Sequence, residues 1–414
     1  MKELIKRIYY STLIVIVYEL GKYIILPGNL VKSYKSPDLM NSISLLIGGN
    51  LSRLSFFSLG VGSYMSGMIF WRVVQSLNKD KFSKSTENTI YYLRSFLILF
   101  ISIIQSLGLA TSMKNNISFS TNEVVNILIA TMVFTTGSMF SMWLVDVNMR
   151  KGIGGPGLLI LIGILAKLPE IAWSFARESL IEYPTVDSVV TFGVAFIGII
   201  LLIRVMSFLL GSEYRIPVQR IMIRNELVVP TYIPIKVLPS NAMPYMFGLT
   251  FLMVPQLLLP VLQKVTTIFN KLDISNLTSL NTFSSIFTYL LILIILGYGF
   301  AFVNVNPSEI SEDLQKSGDY VGGVFPGDKT REYITHRLMN MATVGNVIMV
   351  LLLGGPLILS LQWPQLNSFS YVFGSILILN STIVTITDQA KALLEKERYP
   401  NILPDLDIKK GEFM

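Results

Sequence analysis

An all-α polytopic membrane protein, with ten transmembrane helices in two pseudo-symmetric five-helix halves, is the fold class this sequence predicts. Three observations carry that prediction. Of 414 residues, 52% are hydrophobic and only 14% charged, whereas soluble domains carry about 25% charged residues. Ten apolar runs recur along the chain, near the roughly 20 residues a helix needs to cross a bilayer. A polar link at 177–187 divides them five and five.

The first run, about 9–26, follows Lys2, Lys6 and Arg7 and ends at Leu26-Pro27-Gly28. No small-residue cleavage site follows, so it reads as a retained span rather than a signal peptide. Further spans are expected near 55–76, 92–112, 123–147 and 154–175, which completes a first half at 1–176. Spans near 188–211, 242–263, 281–304, 338–361 and 369–388 complete a second half at 177–388, and 389–414 form a polar tail. With the N-terminus in the cytoplasm, twenty-one lysines and arginines fall in inside segments and eight outside. That asymmetry orients multi-pass proteins, so both termini are expected on the cytoplasmic side of the cell membrane.

Two inside loops, about 211–241 and 306–337, are long and polar, with basic residues set among β-branched and proline-containing stretches. They either set topology alone or dock a soluble partner. The net charge of +7 follows the same loops, so it serves topology and gives no cause to expect nucleic acid.

The chemistry of sites is sparse. There is no cysteine, and His336 is the sole histidine, in a segment read as a solvated loop; one histidine supplies no multi-histidine metal site. Gly327-Asp328-Lys329-Thr330 resembles the end of a phosphate-binding loop but lacks its glycine spacing. No cofactor and no enzymatic activity are expected, and energy must come from a partner or a gradient. Ionisable residues inside spans usually mark ion pathways. Here Asp146, Lys167, Glu170 and Arg204 sit near span ends, with Lys167 and Glu170 spaced to pair on one helix face. That weighs against an ion-coupled carrier.

One stretch departs from ordinary spans. A short apolar piece, 43–47, runs into Gly48-Gly49, then Arg53, then a helix dotted with Gly60, Gly62, Ser63, Ser66 and Gly67. A piece too short to span is tolerated at membrane depth only under cover of protein or a water-filled cavity. It is either a half-helix folded into a pore or a surface loop before a small-residue packing face. Met65, Ile69, Ile160, Ile164 and Met246 stand beside such small or broken positions. They are either ordinary packing or an aliphatic constriction that seals by dewetting, with methionine as an adaptable element.

Four motifs, in order along the chain, resemble the SecY family of protein-conducting channels. They are Gly48-Gly49-Asn50-Leu51-Ser52-Arg53 through Gly60; Gly154-Gly155-Pro156-Gly157 with Gly163 to Pro169; Arg215-Ile216-Pro217-Val218-Gln219 with Tyr232-Ile233-Pro234-Ile235-Lys236-Val237; and Gly322-Gly323-Val324-Phe325-Pro326-Gly327 with Thr330, Tyr333 and Ile334. The departures are Ser63 for a proline, Arg220 for a tyrosine, Leu238 for an asparagine, and Met65 and Met246 for isoleucines. A shortened Pro-Gly run also lacks the family's motor-contacting arginine. With the compact chain, these are similar to the accessory branch of certain Gram-positive bacteria, which exports large serine-rich, glycosylated adhesins.

The resemblance implies two inverted five-span halves, an hourglass pore and a lateral gate. It implies a pore ring of Met65, Ile69, Ile160, Ile164 and Met246, with the tenth span's member unassigned. A plug near 42–54 would include Leu45, Leu46, Ile47, Gly48, Gly49, Leu51 and Arg53. Arg215, Arg220, Arg224, Lys329 and Arg331 would face an accessory SecA-type motor ATPase. Further implied partners are the exported adhesin chain, small accessory membrane or export subunits, and membrane lipid. The alternative left by the residues alone is a secondary transporter or lipid-linked-glycan flippase, since many carriers share a five-plus-five plan with broken helices.

Overall fold

The computed structural model describes residues 2–26, 55–77, 82, 85–112, 117–177, 186–220, 231–248, 251–252, 282–361 and 367–398. The plug residues Leu45, Leu46, Ile47, Gly48, Gly49, Leu51 and Arg53, together with Arg224 and the tail beyond 398, lie outside the described residues.

Among the described residues, ten helical stretches build the membrane body. The first six are α1 (Lys2–Lys22), α2 (Gly62–Leu77), α3 (Glu87–Ser112), α4 (Glu123–Lys151), α5 (Gly155–Arg177) and α6 (Val186–Gly211). The helical residues of 243–252 form α7, and α8 spans Phe283–Asn304. A short helix α9 (Pro307–Ser317) lies outside the body. Helix α10 begins at Asp328–Met349 and runs through a π-helical turn, Val350–Gly354, into Gly355–Ser360; α11 is Asn367–Arg398. Among the described residues, Glu87–Thr111, Glu123–Lys151, Phe283–Ser317 and Asp328–Ser360 are each long and apolar enough to cross a membrane; Gly155–Ala166 and Ile197–Gly211 are shorter apolar pieces.

Local chemistry fixes several boundaries. The Asn122 side chain accepts from the Val124 amide and starts α4, while Thr282 and Ser285 cap each other's backbone at the start of α8. Proline at 356 has no N–H for the preceding turn and crowds it, which accounts for the wider π turn just before it. Helix α2 starts at Gly62, later than the sequence predicts. Residues 55–61 instead make tight turns through Gly60 (φ 51), pinned to the end of α1 by the Phe56 amide donating to the Ile24 carbonyl (2.9 Å).

Small residues let helices meet. A Cβ added at Gly137 on α4 would sit 1.9 Å from the Phe56 carbonyl oxygen, and one at Gly67 on α2 would sit 2.5 Å from Ile98 Cγ1 on α3. Close approach of this kind is how helices gain packing energy in lipid, where apolar burial against apolar solvent supplies none.

The two long loops are joined. Strand β1 (Glu213–Arg220) pairs antiparallel with β2 (Tyr232–Lys236) and with β3 (Asp319–Val321), in the order β2-β1-β3. Pairing with β3 begins at Val218, so the missing N–H of Pro217 costs no bond to that neighbour. Beneath the sheet, Ile216, Ile235, Val321, Ile334 and Leu338 form a second apolar core, separate from the membrane body. Helix α10 therefore extends about a decade of residues beyond the expected span, because its first turns bury Ile334 and Leu338 against the sheet rather than lipid. His336 accordingly lies on a helix and not in a loop, though it is exposed as expected.

Candidate functional site

Of the residues expected to ring a pore, Met65 and Ile69 lie on α2, Ile160 and Ile164 on α5, and Met246 on α7. The first four are buried and belong to the main apolar core; Met246 is partly buried against it. The start of α5 is held by specific contacts. At the α4–α5 turn, Gly154 (φ 82) and Gly155 (φ 52) adopt left-handed backbone, which glycine enters without a Cβ penalty. Asn148 Nδ2 donates to the carbonyls of Ile153 (3.0 Å) and Gly155 (2.8 Å), and Ser11 Oγ of α1 donates to Asn148 Oδ1 (2.9 Å). The start of α5 is thereby fixed to α1 and α4, which sets the level of Ile160 and Ile164.

The expected motor face is only partly visible. Arg215 on β1 is exposed, lies over the Tyr232 ring at 4.6 Å, and donates to Glu213 Oε1 at 2.7 Å. That hydrogen bond pushes its guanidinium still higher than usual, so it stays charged. The Arg220 backbone pairs with Asp319 of the other loop. Lys329 and Arg331 occupy the exposed first turn of α10, where Lys329 meets Glu332 at 3.2 Å. Arg215 and Lys329 thus belong to one sheet-and-helix platform built from both loops.

Sequence reasoning missed the apolar part of this platform. Phe325 is 81% exposed at the rim of a groove of about 340 Å³ that Lys329, Tyr333 and His336 also line. A proline-glycine turn following an aromatic was the available signal. Arg337 packs over the rings of Tyr214 (5.5 Å) and Tyr333 (5.1 Å), tying sheet to helix.

Two in-span arginines were also missed. Arg94 on α3 pairs with Asp146 on α4 at 3.2 Å, so this carboxylate is a structural partner and not an isolated charge. Arg72 on α2 lies over the Phe300 ring of α8 at 6.0 Å. The side chains of Lys167 and Glu170, expected to pair, lie outside those described, and Arg204 is exposed on α6.

The ten described helical stretches around a common apolar core, capped by a platform of interleaved loops, define a multi-pass helical membrane protein. The chain belongs to the SecY family, whose profile matches residues 55–387. It is 32% identical over 406 residues to the accessory Sec system protein translocase subunit SecY2 of Leuconostoc gelidum subsp. gasicomitatum, covering 95% of this chain and 96% of that one. The SecY2 of Streptococcus salivarius is 30% identical, with 96% and 97% coverage. In fold, a solved protein-conducting channel superimposes with TM-score 0.67 at 14% identity, covering 98% of this chain and 95% of its own. Sec61 in a canine ribosome–channel complex gives 0.65 at 15% identity, with 96% and 94% coverage.

Proposed function

We propose that this chain is the protein-conducting channel of an accessory Sec export system. It passes unfolded chains, serine-rich glycosylated adhesins above all, across the cell membrane while a separate SecA-type ATPase supplies the energy. The observation that carries this reading is the 30–32% identity to accessory translocase subunits over 95–96% of the chain.

In this reading Met65, Ile69, Ile160, Ile164 and Met246 form the constriction. Their aliphatic side chains exclude ions by dewetting when closed and part around an extended polypeptide when open. The segment 42–54 is the plug, and its neighbour 55–61 is anchored to α1 through the Phe56–Ile24 hydrogen bond. The halves 1–176 and 177–388 move against one another, with both termini cytoplasmic. Arg215, Arg220, Arg224, Lys329 and Arg331 meet the motor, and the sheet supports the docking role, since it makes one surface from two loops. Small accessory subunits and lipid complete the surroundings of the body.

A photocrosslinker at Met65 or Ile164 during stalled export tests the reading. The arrested adhesin should label at both positions. Export that proceeds with no label at either position would overturn the pore assignment.

A further inference from the structure

We infer that Arg72 is a specificity-determining residue of the channel, a fixed cation at the cytoplasmic rim of the constriction that favours acidic and neutral stretches of passing chain over cationic ones. The inference rests on the pore reading above and assigns a role to a residue outside the ring.

Position comes first. Arg72 follows Met65 by seven residues and Ile69 by three, so all three share one stripe of α2. At a rise of 1.5 Å per residue its Cα lies about 4.5 Å beyond that of Ile69, on the cytoplasmic side in the orientation that the loop charges set.

Its surroundings come next. The guanidinium lies over Phe300 of α8 at 6.0 Å. Phe300 in turn stacks on Phe247 of α7, with centroids 4.8 Å apart and planes 15° apart, and Phe247 directly follows the ring residue Met246. A cation from α2 therefore reaches across to the α7–α8 wall at the level of the constriction. A second contact between the same walls, Phe70 with Phe251 at 6.2 Å, is purely apolar and gives no such field.

Charge balance completes the case. Arg94 and Asp146 offset one another, whereas no carboxylate among the described residues forms an ion pair with Arg72. An aromatic face holds a cation in place without neutralising it, and arginine keeps its proton at any accessible pH. An unpaired charge facing a bundle interior marks a pathway. Beside a narrow, partly hydrated ring its field is felt at short range, and at a separation of about 6 Å across an effective dielectric constant of about 40–60 it should alter the passage of a unit charge roughly fivefold to tenfold.

The test separates this claim from the pore reading. In proteoliposomes bearing the full-length channel with Ile164→Gly to widen the ring, the reversal potential is measured under a KCl gradient. Arginine at 72 should favour chloride over potassium; Arg72→Gln should lower that preference about fivefold, and Arg72→Glu should invert it. A current whose selectivity is the same in all three overturns the role of Arg72 and leaves the pore intact. Absence of any current overturns the pore assignment and this inference with it. If the Gln and Glu channels fail to accumulate, Arg72→Lys decides, since it keeps the charge: retained chloride preference supports the inference, and its loss overturns it. During motor-driven export, cargo bearing five added lysines should lag cargo bearing five added aspartates. Arg72→Glu should reverse that order, and an unchanged order overturns the inference.

Discussion

The Gly154 amide donates to Gln389 Oε1 at 2.9 Å, bridging 235 positions of sequence and fastening the α4–α5 turn to the C-terminal part of α11. One residue away, Asp388 meets Lys236 of β2 at 3.8 Å. Adjacent residues of the last helix thus touch the first-half turn and the loop platform. The turn has no room for change. A Cβ at Gly154 would lie 2.9 Å from Ile386 Cγ1 on a backbone with φ 82. Gly154→Ala should destabilise the protein by about 1–3 kcal/mol, while Gln389→Ala, which leaves one amide unpaired, should cost about 1 kcal/mol. Thermal unfolding of the purified protein in detergent checks both; equal stability of Gly154→Ala and the parent would contradict the account.

The Arg94–Asp146 pair makes a different prediction. Side-chain exposure is 19% for Arg94 and 6% for Asp146, so removing one partner strands a charge with little access to water. Asp146→Leu or Arg94→Leu alone should cost about 3 kcal/mol, whereas replacing both by leucine should cost much less. A double-mutant cycle on unfolding free energies measures the coupling. Additive losses would mean that the pair is not coupled.

These two contacts also indicate how far the sequence is readable. Long apolar runs such as 283–304 declare their helices, because nothing else buries so many aliphatic side chains. The start of α10 was not legible: Ile334 and Leu338 look like stray apolar residues until β1 and β3, about a hundred positions apart, are paired above them. Non-local strand pairing leaves no mark in either strand alone. The ring candidates stand beside small or broken positions, but only resemblance favoured a ring over packing, since a buried Ile160 has the same local pattern whether it packs or gates. Arg72 escaped because eight apolar neighbours mask one charge in any averaged window, yet its spacing from Ile69 was present in the sequence throughout.

Phe325 carries a prediction about docking. A large aromatic left 81% exposed beside Lys329 and Arg331 has the make-up of an interface anchor, in which an apolar centre gives affinity and charges steer approach. Phe325→Ala should weaken SecA-type motor binding to channel-bearing membranes by at least about tenfold without altering thermal stability. Lys329→Ala with Arg331→Ala should chiefly slow association, and the effect should fade in high salt as screening grows. Unchanged affinity for Phe325→Ala would remove the groove from the docking surface.

The methionines of the proposed ring make the last prediction. Met65 and Met246 bring unbranched thioethers to the proposed ring, and the two differ in setting: Met65 is buried and Met246 partly exposed. An unbranched chain carries only one heavy atom, Cγ, on its Cβ and can swing aside through several rotamers, whereas a β-branched one is stiff at its first torsion. A ring containing methionine should therefore part more readily around cargo of irregular width and still exclude ions at rest. Met65→Ile with Met246→Ile should leave resting ion leak no higher than in the parent. It should slow export of a glycosylated adhesin segment more than that of the same segment without sugars, by roughly threefold if stiffening adds about 0.7 kcal/mol to the passage barrier. Protease-protection time courses on the two cargoes give the comparison directly, and equal slowing of both would assign the methionines to packing alone.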